Sequence, residues 1–110
     1  MTSMTIDRPD SSVTFVFPLD QKRTTTIQIP EGSKWTSSPH WHERTTEYIL
    51  VIQGRLLLVI DGVHEVVLPE HGSRCINKYE KHEFMRADCN AAEGEGDSGD
   101  VVLEEWVDPG

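Results

Sequence analysis

With 110 residues, 36% of them apolar and 26% charged, the chain has material for one hydrophobic core, and residues 1–110 are read as a single domain. Its longest apolar runs, YILVI (48–52) and LLLVI (56–60), are far short of the ~20 residues that cross a bilayer as a helix, so no membrane span is expected. The net charge of −9 is uneven: residues 1–86 carry ten Lys and Arg against eleven acids, whereas 87–110 carry eight acids and no base, and a near-neutral body without a basic patch excludes nucleic acid and anionic membranes as partners.

The opening MTSMTIDRPDSSVTFVF has neither a basic leader nor a long apolar stretch, so it does not read as a secretory signal and a cytoplasmic location is expected. Short β-branched or apolar runs then recur every eight to twelve residues, separated by turn formers. They predict strands at 12–17, 24–29, about 38–42, 47–53, 55–60, 63–68, 73–77, 82–87 and 100–107. Asp61-Gly62, between LLLVI and VHEVVL, is a two-residue hairpin signal. No segment holds an i, i+3, i+4, i+7 apolar pattern for three turns, so no helix is predicted. The acidic NAAEGEGDSGD (90–100) reads as a mobile loop. Cys75 and Cys89, separated by thirteen residues without a C-x-x-C spacing, are expected to be reduced thiols. Many short strands without helices predict an all-β sandwich or barrel.

Chemistry concentrates in HWHERTTEYILVIQG (40–54). Strand side chains alternate faces, so His40 and His42 share one side, about 7 Å apart, with Trp41 on the other. If ERTT turns the chain back, Glu47 returns beside them. A bare His-x-His on a strand is more often structural than metal-binding, but here the whole spacing is His40-x-His42-x(4)-Glu47-x(6)-Gly54.

That spacing resembles the first motif of the cupin superfamily, G-x(5)-H-x-H-x(3,4)-E-x(6)-G, and matches it from His40 to Gly54; only Gly32 departs, with seven residues instead of five before His40. The second cupin motif, G-x(5)-P-x-G-x(2)-H-x(3)-N, is similar to GSRCINKYEKHEFMR in degraded form: Gly72 and His82 align with one residue deleted, Asn77 and Tyr79 stand at the proline and glycine positions, and Arg86 replaces the closing asparagine. The closing EEWVDPG looks similar to a run in small single-domain fungal cupins, whose chains commonly continue beyond it. The resemblance covers about residues 24–107 and implies a cupin-type jelly-roll barrel (a double-stranded β-helix) with His40, His42, Glu47 and His82 as ligands of one metal ion.

Three imidazoles and one carboxylate suit divalent Fe, Mn, Ni, Zn or Cu and suit Mg or Ca poorly, since those ions prefer oxygen shells. Four ligands on an octahedral ion leave two open positions, the mark of a catalytic centre. A small metalloenzyme acting on an organic acid, phenol or polyketide-like metabolite is therefore expected, by oxygenation or by isomerisation, dehydration or decarboxylation. The alternatives are a non-catalytic module binding a small molecule and, less favoured, a storage protein. Around the ligands, Arg86 shares the strand face of His82 and is expected to anchor an anionic substrate. His64 is expected to face inward as a support, and Tyr79 to line the mouth. YILVI and LLLVI, apolar on both faces, predict outer cover by a second copy in a homodimer.

Overall fold

The computed structural model describes residues 2–18, 24–89 and 96–108. Nine strands follow in chain order: β1 (Thr2–Ile6), β2 (Val13–Phe17), β3 (Thr25–Ile29), β4 (Thr46–Gln53), β5 (Leu56–Ile60), β6 (Val63–Val67), β7 (Arg74–Ile76), β8 (His82–Arg86) and β9 (Val101–Asp108). One turn of 3₁₀ helix, Pro69–His71, joins β6 to β7. The strands form a six-stranded sheet, β1-β2-β3-β9-β4-β7, and a three-stranded sheet, β6-β5-β8. Every pairing is antiparallel, and early strands pair with late ones: β3 and β4 flank β9, and β5 pairs with β8. This nesting is what results when a long hairpin folds over on itself, and it makes the all-β jelly roll that the sequence predicts.

Alternation along each strand builds the core. Ile27 and Ile29 of β3, Ile49 and Val51 of β4, and Val101 and Leu103 of β9 face Leu56 and Leu58 of β5, Val67 of β6 and Phe84 of β8. Their neighbours on the other face are less buried, Gln28 and Ile52 being exposed and Leu50, Leu57 and Val102 half-buried. Towards one end the inward rows turn polar: Glu47 precedes Ile49, Glu105 follows Leu103, and His82 precedes Phe84. Antiparallel pairing brings these row ends together, since Glu105 lies opposite Ile49 and His82 opposite Ile60.

The turns follow backbone chemistry. Asp61 and Gly62 both take positive φ (48° and 82°), as a two-residue hairpin of the primed type demands. Gly54, between β4 and β5, has φ 84°, and a Cβ there would sit 3.2 Å from both the Asp100 carbonyl oxygen and the Val101 Cα. The motif glycine is thus fixed by both its conformation and the close approach of β9. Gly54→Ala is expected to cost about 1–3 kcal/mol of stability, read by urea denaturation.

Eight of the nine predicted strands form, each end within one residue of its expected place. The exception is 38–42, which makes only an isolated bridge, His40 with His82. Pro39 has no N–H to give a ladder, and Ser38 adopts φ 64°, so the stretch cannot continue as a strand. β1 was not predicted, because this edge strand is exposed along nearly its whole length and carries no alternation. In the acidic segment, 90–95 lie outside the described residues, and 96–100 are tied down rather than loose. Asp97 pairs with Arg55, Gly99 N–H donates to Glu31, and Asp100 accepts from Gln28 and from the Glu31 N–H. Cys75 and Cys89 are free thiols, one exposed and one buried.

Candidate metal centre

Three elements deliver the cluster. His40 and His42 come from the link between β3 and β4, Glu47 is the second residue of β4, and His82 is the first of β8. The bridge between His40 and His82 (N–H to carbonyl 2.9 Å one way and 2.8 Å the other) locks the link against β8. A hydrogen bond of 2.9 Å from the Tyr79 N–H to the His42 carbonyl holds the link's far side.

The side chains meet at one point. Ring centroids lie 4.1 Å apart for His40 and His82, and 5.3 Å for His42 with each of the others. His42 Nε2 is 3.0 Å, and His82 Nε2 3.4 Å, from Glu47 Oε1. One ligand atom from each of the four lies within 4.8 Å of all the rest. An ion with bonds of ~2.1 Å sets adjacent ligands ~3 Å apart and opposite ones ~4.2 Å apart, so the four can hold one metal ion after shifts of a few tenths of an ångström.

Hydrogen bonding prepares them for it. His40 Nδ1 lies 2.8 Å from the Ser38 carbonyl oxygen, and His82 Nδ1 3.0 Å from that of Glu80. Each carbonyl can only accept, so in the neutral ring Nδ1 carries the proton and the Nε2 lone pair faces the cluster. His82 is 1% exposed and Glu47 3%. Among the described residues, neither His82 Nε2 nor Glu47 Oε2 has a hydrogen-bond partner. In the neutral ring the Nε2 lone pair of His82 stands 3.4 Å from Glu47 Oε1 with no donor between them, a need met either by a proton on His82 or by a shared cation.

Burial alone would raise the pKa of Glu47, but hydrogen bonds and charge from His82 and His42 outweigh it and the net direction is down. Burial alone would lower His82, but the Glu47 carboxylate and the Glu80 carbonyl prevail and its pKa rises above the ordinary 6.5. A proton on His82 therefore competes with a metal ion. Affinity for zinc is expected to fall by up to about tenfold per pH unit once the pH drops below His82's raised pKa, measured by competition titration. Without metal the raised His82 pKa contributes stability that is complete below 6.5 and lost as pH rises through the folded value. The lowered Glu47 pKa contributes stability present above 4.5 and lost as pH falls. The pair thus favours the metal-free fold most between those limits.

A cavity of about 340 Å³ opens onto the cluster, with His40, His42 and Glu47 in its wall. Glu105 also lines it, and burial together with the charge of Glu47 pushes its pKa up to about 7. Sequence reasoning missed this residue. The alternation Val101, Leu103, Glu105 would have turned it inward, but Glu104 beside it and the acidic run before it made it look solvated.

Three expected substrate contacts are corrected. Arg86 does share the inward face of His82, but four residues farther along β8, and it is 0% exposed. Its guanidinium donates to both oxygens of Asp88 and to the carbonyls of Ile29, Asp97 and Gly99, which uses all five N–H groups. Arg86 therefore has no donor left for a substrate. His64 is exposed on β6 opposite Val59; the inward position belongs to its neighbour Glu65, which pairs with Arg74. Tyr79 is 68% exposed, packs on Trp41 and does not line the cavity.

The strand arrangement is a cupin-type fold. No family model and no curated protein matches the sequence. Among solved structures, the chain is similar to a predicted oxalate decarboxylase from Thermotoga maritima (TM-score 0.73, 16% identity, 96% of this chain and 90% of that one). It is also similar to the Schizosaccharomyces pombe Cnp3 cupin domain (TM-score 0.59, 8% identity, 88% of this chain and 66% of that one). Oxalate oxidase in complex with the substrate analogue glycolate gives a TM-score of 0.56 at 22% identity, over 76% of this chain but only 40% of the oxidase. At such identities the likeness establishes the cupin fold.

Proposed function

We propose that the protein is a mononuclear metal-dependent enzyme that acts on a small organic molecule in the cavity, with His40, His42, Glu47 and His82 holding the ion. The observation that carries this reading is the convergence of four ligand atoms within 4.8 Å of one another, two of the residues buried, beside a chamber large enough for a substrate. When bound, a divalent Fe, Mn, Ni, Zn or Cu ion held by these four residues would supply Lewis acidity or, for the redox-active metals, redox chemistry. The chain's own groups do the rest. The carbonyls of Ser38 and Glu80 orient the imidazoles, and Glu105 is placed to hold or release a proton at the substrate.

Metal analysis of purified protein, then turnover screens over phenols, enols and small acids with and without dioxygen, tests this. One equivalent of a transition metal with turnover is the expected result; protein that takes up no metal from any of the five would overturn it. Metal and ligand binding without turnover would leave a binding module. We further propose a homodimer through the outer sheet faces, where Ile52 and Val66 are exposed at 48% and 42%. A monomer by light scattering at micromolar concentration would refute it.

A further inference from the structure

We propose that the chamber selects a flat, uncharged hydroxylated ring, a phenol or enol, over small dianions such as oxalate. This rests on the metal centre proposed above and adds the substrate class. The wall away from the histidines is aromatic: Trp35 stands edge-on to Phe15 (centroids 5.7 Å apart, 78° between planes) and to Phe84 (5.8 Å, 65°). All three rings line the cavity, as does Trp106. Aromatic walls reward a second ring by stacking and edge contacts that a two-carbon diacid cannot make. The size agrees, since a cavity of about 150 Å³ accepts benzene and this one measures about 340 Å³.

Charge points the same way. Among the described residues, no Lys or Arg lines the chamber, while two carboxyl side chains, Glu47 and Glu105, do. The buried arginine that could have served an anion, Arg86, is consumed by Asp88 and three carbonyls elsewhere. A divalent ion with Glu47 gives the centre a net charge of about +1, so a dianion would overshoot neutrality beside Glu105, with no cation among the described lining residues to receive its second carboxylate. A neutral ring has no such deficit: its hydroxyl reaches the polar end and its body lies on the aromatic wall.

Calorimetric titration of the zinc-loaded protein with catechol and with oxalate tests this, zinc being redox-inert. Catechol is expected to bind at least about tenfold more tightly. Trp35→Leu should erode that preference by about fivefold or more while zinc content holds. Because Trp35 also packs within the wall, Thr25→Lys provides an independent arm. Thr25 lines the cavity opposite Glu105 in the sheet, and a cation there should raise oxalate affinity by about tenfold. Oxalate binding as tightly as catechol to the parent, or a preference unmoved by both variants, would overturn the proposal. Failure of the metal reading has a different signature, protein without zinc. The ring preference should still appear with catechol and oxalate on that metal-free protein, and its absence there would overturn the proposal too.

Discussion

Arg86→Met is expected to lower stability by about 3–5 kcal/mol, the cost of leaving a buried charge partner and several carbonyls without their donor. Asp88, whose side chain is 8% exposed, would lose both of its guanidinium bonds, and the carbonyls of Ile29, Asp97 and Gly99 would lose theirs. Arg86 therefore pins the segment leading into β9 to the body of the barrel. Gly96 belongs to the same arrangement, since a Cβ there would lie 2.7 Å from Asp88 Oδ2. The acid limb of stability should change as well. The Arg86 hydrogen bonds hold the Asp88 pKa below its ordinary 3.8 against the opposing effect of burial, which adds stability present above that value and lost as pH falls through the folded one. In the variant that contribution disappears, so the stability curve should flatten in acid. Lysine cannot reproduce five planar donors, so Arg86→Lys should rescue only part of the loss and leave metal content unchanged. Urea denaturation at several pH values provides the measurement. A variant as stable as the parent but deficient in substrate affinity would return Arg86 to the role its strand position first suggested.

The contrast between what was legible and what was not follows from what strand periodicity encodes. β3 announces itself by alternation, β4 and β5 by continuous apolar runs bounded by turn residues, and Asp61-Gly62 is visible because few dipeptides tolerate two positive φ values. β1 has no buried face, so its formation by backbone pairing with β2 leaves no trace in TSMTI. For the site, spacing brought together His40, His42 and Glu47, because His-x-His with a returning glutamate is a short-range geometric statement, while His82 came from the resemblance; the four do converge. Alternation tells which residues share a face but not which end of the barrel they occupy, and that is how Arg86 misled. Nor does it fix the phase of a strand with two polar candidates. On β6 the phase follows Val67, which is fully buried and puts Glu65 on its face and His64 on the exposed one.

His82→Ala should abolish stoichiometric metal binding, weakening affinity by far more than the 10- to 100-fold typical of losing a supporting group around a ligand. It is also the variant that best separates a metal centre from a hydrogen-bonded histidine cluster. If the cluster were structural, removing a ring that is 1% exposed would only open a cavity and destabilise the protein with or without metal. If it is a metal site, the parent should gain about 2.7 kcal/mol of stability when zinc is present at 100 times its Kd, and the variant should gain almost nothing. The metal-free forms should differ most between pH 4.5 and 6.5, where the substitution opens a cavity and also removes the His82–Glu47 pair. His42, with its side chain 34% exposed, provides the control: His42→Ala should lose the zinc-dependent gain with little change in metal-free stability. Denaturation with and without zinc, alongside metal analysis, reads all three proteins. A His82→Ala protein that keeps one equivalent of zinc and the full stability gain would remove His82 from the ligand set.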